Sequence, residues 1–450
     1  MKNYNLITGG FILSLPGILS ITISLLSIPI HLKIAGSENY GNYIMFHFLL
    51  TISIIFNFGI GKSIVISSGN YPLKKNIIAY QGLKYTLIVC LFISIILMLT
   101  HFMENSLTSF FFLSNAIFWY FFISTLSTII YLSLEGIFQG NEKYKTLSFY
   151  NFFFFSLSLG FPSLSLIYSP SLNLENLLCI TTIVKIVTIV LMFISIITNN
   201  MMKRSKDKLL LNNLKKNSKW ITLNSILVQF YDIFDKYLIR IFFGPIALAA
   251  YAIPQQLTGK LSIFSKGFSA FLLTTLSKKK IKNELDQTII IFLKIIPALI
   301  FLLFPIYSIF LTFWLGDEFN KNIYELTKIF SLSSIFACTS HILISKFEAS
   351  QTLKRNLKFE FLFMPFFLII LYLITSRIDS LTYIALVILF KETTLLFLRL
   401  NLLKLEIKNI INYYLYSIFY ILMLYISFIN QNLFYLFEIL LLINIFKNDK

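Results

Sequence analysis

Apolar stretches of roughly 16–29 residues recur along the whole chain, and only short hydrophilic loops separate them. A helix needs about 20 apolar residues to cross the hydrocarbon core of a bilayer, which is about 30 Å thick. The rhythm therefore predicts a protein embedded in membrane almost throughout. The spans show no alternation of period two, so helices are expected rather than a barrel. Charged residues make up 13% of the 450, against about 25% in a soluble domain.

Twelve spans follow from the pattern: 7–32, 43–67, 79–101, 113–137, 146–169 and 174–198, then 219–243, 247–275, 287–313, 324–346, 358–376 and 379–398. A last apolar run, 411–446, is interrupted only at Asn430, Gln431 and Asn432. Read as a hairpin, it raises the count to fourteen. The first stretch is too long for a signal-peptide core and lacks a small-x-small cleavage site, so it is expected to remain as a span.

The formal net charge of +18 invites a nucleic-acid reading, but its distribution argues against one. Loops after even-numbered spans are basic, for example Lys74 with Lys75, Lys278 to Lys280, and Lys203, Arg204, Lys206 and Lys208. Loops after odd-numbered spans hold mostly acids, including Glu38, Glu104, Glu175, Asp317, Glu318 and Asp379. The positive-inside rule then places both termini in the cytoplasm. The basic segment 199–218 separates a first lobe, 1–198, from a second, 219–403, with 404–450 as the terminal helix pair. This segment is expected to touch anionic membrane lipids.

Two loops on opposite faces hint at duplication. Gly36 and Tyr43 are matched by Gly244 and Tyr251 at an offset of 208 residues. Phe138, Gly140 and Lys145 are matched by Phe347, Ala349 and Lys354 at an offset of 209. Parallel repeats of this kind occur in transporters whose similar lobes rock about a central site. The fold expected is thus all-α and polytopic, with 12–14 transmembrane helices in two six-helix lobes around a central cavity.

An ionisable side chain at mid-membrane costs about 2.5–3.5 kcal/mol on insertion scales, so each needs a reason. Lys62, Lys84, Lys294 and Lys346 lie near predicted cytoplasmic ends and are read as snorkelling to the interface. In span 7, Gln229, Asp232, Asp235, Lys236 and Arg240 share one helix face. That stripe is either locked by an Asp232–Lys236 pair or forms the wall of a hydrated cavity. Lys185, Lys260, Lys266 and Lys391 are far from predicted span ends, and Glu392 sits beside the last of them. Cations in the interior would attract an anionic substrate, most naturally phosphate or pyrophosphate. Lys185, Lys236, Arg240, Lys260, Lys266 and Lys391 are the substrate-binding candidates, and Asp232, Asp235 and Glu392 are the coupling candidates.

Chemistry of other kinds finds no signature. There is no phosphate-binding glycine loop, the four histidines have no metal-ligand spacing, and Cys90, Cys179 and Cys338 fall inside apolar spans. No catalytic residue, metal or cofactor is expected, nor is the chain expected to be an enzyme.

Several short motifs occur in order. They are Gly36-Ser-Glu-Asn-Tyr40-Gly41-Asn-Tyr43, Phe56-Asn-Phe-Gly59-Ile-Gly61, Gln139-Gly140-Asn-Glu-Lys143-Tyr-Lys145, Asp235-Lys236 before Gly244, Ala249-Ala250-Tyr251-Ala-Ile-Pro254, and Trp314-Leu-Gly316. With their spacing, the chain over about residues 5–400 resembles a Wzx-type O-antigen or polysaccharide flippase of the multidrug/oligosaccharidyl-lipid/polysaccharide exporter superfamily. The resemblance implies alternating access in the bacterial inner membrane. Its implied substrate is an undecaprenyl-pyrophosphate-linked oligosaccharide, with a polysaccharide polymerase and a chain-length regulator as partners. The alternatives are a drug or cation exporter of the same superfamily and an O-antigen polymerase. A drug exporter would want an acidic cavity. A polymerase would want a long Arg-bearing outer loop, whereas the outer loops here are short.

Overall fold

The computed structural model describes residues 6–102, 115–205, 207–277, 307, 309–316, 321–349, 352–378 and 380–402. The proposed terminal hairpin, the loop holding Lys278 to Lys280, and most of the ninth span lie outside these residues. The described residues are helical apart from short turns. The helices are α1 (Leu6–Thr51), α2 (Ser53–Phe56), α3 (Ile60–Asn70), α4 (Lys75–Phe102), α5 (Asn115–Gly140), α6 (Tyr144–Asn151), α7 (Ser158–Ser165) and α8 (Leu174–Thr198). After the basic segment come α9 (Lys208–Phe242), α10 (Gly244–Gly259), α11 (Ser262–Ser277), α12 (Lys321–Ala349), α13 (Leu353–Arg377) and α14 (Leu381–Leu402). Eight helical stretches among the described residues are long and apolar enough to cross a bilayer. Helix α9 is not among them because its charged stripe dilutes its hydropathy, and α10 and α11 are separated by a break at Lys260 and Leu261.

The apolar surface is used in two ways. Along α13 only 22% of the most apolar window is buried, and Leu362, Phe366 and Ile369 point outward as a lipid-facing side chain must. Along α12 the figure is 89%, so this helix is central. Its many Ser and Thr hydroxyls bond back to carbonyls one turn earlier, as Thr327 does to Ile323 and Ser331 to Thr327.

The repeated residues occupy matching places. Gly36 (φ 83°) divides α1 into two arms, and Gly244 (φ 84°) separates α9 from α10. A left-handed turn between two spans requires glycine, since any β-carbon strains it. Tyr43 and Tyr251 follow at the same distance and are both buried. Gly140 and Ala349 end α5 and α12.

The two halves touch near both membrane faces. On the Gly36 side, a β-carbon at Gly41 would lie 2.1 Å from the carbonyl oxygen of Pro245, so only glycine permits the approach. Nearby, the Trp314 indole donates to the Leu25 carbonyl at 2.6 Å. That carbonyl lacks its usual helical donor because residue 29 is proline. On the side of the basic loops, the Gln139 amide donates to the Ala270 carbonyl (2.5 Å) and Thr274 Oγ1 (3.1 Å).

Residues 208–218 are the first turns of α9, so that helix starts eleven residues before the predicted span. Asp207 caps it by accepting from the Leu209 and Leu210 amides, and it pairs with Lys74 at 2.9 Å. The Lys74 ammonium and the helix amides hold this carboxyl below its ordinary range. Leu210 and Leu214 pack into the core of the first half, so α9 bridges both halves.

Candidate functional site

Helices α9 to α12 and α14, together with the second arm of α1, enclose a cavity of about 330 Å³. Its wall carries Asp232, Asp235, Lys236, Lys266, Lys391, Glu392 and Arg399. Removing one member of a buried ion pair is costly, and five of these seven residues are paired. Lys236 Nζ lies 3.1 Å from Asp235 Oδ1, and the Tyr251 hydroxyl donates to Asp235 Oδ2 at 2.8 Å. Lys391 pairs with Glu392 at 2.8 Å. Arg399 donates twice to Glu360 Oε1, at 2.5 and 3.1 Å, and Asn356 adds a third bond at 2.8 Å.

Of the two alternatives for the polar stripe, the Asp232–Lys236 lock is not formed, and Asp232, Asp235 and Lys236 stand on a cavity wall. Lys236 reaches the backbone carbonyl of Asp232, but its carboxylate partner is the neighbouring Asp235. The Asp232 side chain is left facing the cavity, with the Lys236 ammonium held beneath it over the Phe48 ring.

Lys266 differs from the other cations. It projects into the cavity and makes no ion pair or hydrogen bond among the described residues. The carboxylates of Asp235 and Glu392 are already engaged by Lys236 and Lys391. Lys266 also lines a second cavity of about 330 Å³, which lies between the halves toward the basic loops. Val228, His341 and Ile344 border both cavities as well. The two spaces thus meet at Lys266 and His341.

Three of the six predicted cations do not line either cavity. Lys185, 6% exposed, lies in the first half over the Phe154 ring. Lys260 donates to Ser20 Oγ at 3.0 Å, and Arg240 to Asn42 Oδ1 at 3.1 Å. Both of these hold α1 against the second half. A helix face specifies which residues are neighbours on one helix, but not which helix lies opposite, and this is why one set of intramembrane cations serves three places.

Arg399, Glu360, Glu135 and Glu348 are functional-site neighbours that the sequence pattern does not single out. Lys62 was expected to snorkel, yet its ammonium turns inward to Glu348 at 2.6 Å. Glu135, Glu348 and Glu360 lie close to the ends of apolar runs, where a charge needs no special explanation. Arg399 had a signal available. It stands seven residues after Glu392, two turns along the same face. Among the described residues no group of three His, Cys, Asp or Glu could hold a metal ion.

No protein-family profile and no curated protein sequence matches the chain. Solved structures do match. An outward-facing multidrug resistance MATE family transporter of the MOP superfamily superposes with a TM-score of 0.69 at 12% identity, covering 91% of this chain and 98% of its own. The Vibrio cholerae MATE transporter VcmN, in its bent form, gives 0.63 at 15% identity, covering 91% and 97%. A MOP superfamily transporter from Pyrococcus furiosus, described as having a binding pocket of reverse polarity, gives 0.66 at 12% identity, covering 94% and 97%. Identity at this level speaks for architecture alone: the chain has the all-α, polytopic fold of the MATE transporters of the MOP superfamily.

Proposed function

We propose that this protein is a secondary transporter of the multidrug-exporter type, carrying an amphiphilic organic solute across the membrane by alternating access. Three things support the reading: the shared fold, the matching halves, and two cavities that share Lys266 and His341. The neighbours named as multidrug transporters favour an exporter of small amphiphiles over a dedicated flippase.

The observation that narrows the solute is Lys266. It is a cation with no hydrogen bond or ion pair among the described residues, on a wall where Asp235 and Glu392 are already paired and Asp232 is the one acid that is not. Such a site favours a cargo with an anionic or strongly polar group over a purely cationic drug. The pocket of reverse polarity named for the Pyrococcus furiosus transporter is a precedent within this fold for a change of charge. Lys266 also keeps a second reading in play, a flippase for lipid-linked oligosaccharide in the bacterial inner membrane with cytoplasmic termini. Its pyrophosphate would occupy the same cationic site, and a polymerase with its chain-length regulator would be the downstream partners.

Reconstitution into liposomes tests both readings. Entry of an anionic dye, a cationic dye and a polyprenyl-pyrophosphate disaccharide would be measured with wild type and Lys266→Ala. The proposal expects anionic dye transport that falls about tenfold in the variant. Transport of the disaccharide lipid alone would establish the flippase, and transport of the cationic dye alone, unchanged in Lys266→Ala, would refute the assignment of Lys266.

A further inference from the structure

The cavity between the halves contains a charge arrangement that cargo binding does not explain. Lys62, on α3, pairs with Glu348, on α12, across the boundary between the halves. Glu348 is buried while the Lys62 side chain is 48% exposed to the cavity. Glu135, on α5, lines the same cavity and makes no ion pair among the described residues. Its one hydrogen bond there is a long one, 3.5 Å, from Asn151 Nδ2.

Glu135 and Lys62 are held on one rigid unit. Gly61 precedes Lys62 and Gly136 follows Glu135, and these two glycines are in backbone contact. A β-carbon at Gly136 would stand 2.3 Å from the Gly61 carbonyl oxygen, and one at Gly61 would stand 2.2 Å from that of Leu132. Helices α3 and α5 therefore cannot slide apart without breaking their closest contact. Glu348 belongs to the opposite half.

We infer that Lys62 exchanges carboxylates during the transport cycle. It binds Glu348 while the basic-loop side is closed and Glu135 once that side opens. This rests on the alternating-access reading above. Opening separates α3 from α12 and costs the Lys62–Glu348 pair its contact, so each charge then needs a new partner, another side chain or water. A second carboxylate already fixed beside Lys62 removes that cost through rotation of two long side chains. Glu348 meanwhile faces the opened, wetted cavity, where a lone carboxylate is tolerable. Glu135 thus acts as a positioning residue for the open state.

The test is a distance measurement in nanodiscs between spin labels at positions 143 and 355, which are exposed on opposite halves beside the basic loops. Wild type is expected to show a short and a long distance. Glu348→Gln should raise the long-to-short ratio about tenfold, and Glu135→Gln should lower it by a similar factor. Glu135→Asp, which keeps the charge but shortens the reach, should fall between wild type and Glu135→Gln. The double variant K62E/E348K should remain closed, because the reversed charge at position 62 then meets Glu135. Adding E135K should restore the wild-type distribution. An unchanged or raised ratio in Glu135→Gln, or failure of E135K to restore the distribution, overturns the exchange. A single distance in every protein, with or without solute, overturns alternating access itself.

Discussion

The interiors of the two halves are built differently. In the first half the helices are joined mainly by neutral groups. Ser124 on α5 meets Thr182 on α8 at 3.0 Å, Thr86 on α4 meets Ser133 on α5 at 2.6 Å, and His31 on α1 meets Ser163 on α7 at 2.9 Å. Asn57 alone ties three positions, donating to Ile129 O and Ser133 Oγ and accepting from the Gly61 amide. In the second half the corresponding work falls to ion pairs around a cavity. Hydroxyls and amides satisfy one another without drawing water into the membrane. Ion pairs are worth keeping in that setting where they border a wet space that needs charge. On the proposed function, the transport chemistry belongs to the second half and to the edge of the first half that carries Lys62 and Glu135.

Breaking the Arg399–Glu360 pair should have the largest effect. Truncating one member of a buried pair costs about 3–5 kcal/mol. Glu360→Ala is therefore expected to lower the melting temperature in detergent most sharply, and joint replacement of Glu360 and Arg399 by Gln and Met should recover much of the loss. A double variant no better than the single would show that the pair is not the unit of stability.

Asn57→Ala comes next. It deletes three hydrogen bonds in one step, at about 1 kcal/mol each in proteins generally and less in membranes. Ser124→Ala, which removes one interhelical hydroxyl contact, should cost about 0.6 kcal/mol. A loss from Ser124→Ala as large as that from Glu360→Ala would erase the contrast between the halves. The smallest effect is expected outside the membrane. Asp207 is held below its ordinary range by Lys74 and the α9 amides. Its contribution is present above the usual carboxylate range and is lost as pH falls through its depressed value. Wild type should therefore lose its small stability advantage over Asp207→Asn on acidification, as followed by thermal melts across pH.

The architecture was readable because lipid imposes it. An apolar run must become a helix, and the predicted span 174–198 is α8, Leu174–Thr198, residue for residue. The repeat was readable because a positive φ demands glycine at both Gly36 and Gly244. The charge network was less readable. That Lys62 crosses to Glu348 and that Lys185 stands apart are facts about which helices lie opposite one another, and one-dimensional spacing does not contain them; that Lys236 takes the adjacent Asp235 and not Asp232 is a matter of side-chain rotamer on one helix. Six of the nine candidate residues line one cavity because α9, α11 and α14 converge there. Lys185 is on α8, which does not reach this cavity, while Arg240 and Lys260 turn to α1, to Asn42 and Ser20.

Equilibrium binding of a radiolabelled anionic amphiphile to the purified protein would test the central claim most directly, with Lys266→Ala, Lys266→Arg and Lys185→Ala compared against wild type. The account predicts affinity at least about tenfold weaker in Lys266→Ala, largely restored in Lys266→Arg, and unchanged in Lys185→Ala. Equal binding by Lys266→Ala and wild type, or a loss confined to Lys185→Ala, would contradict it and move the binding site into the first half.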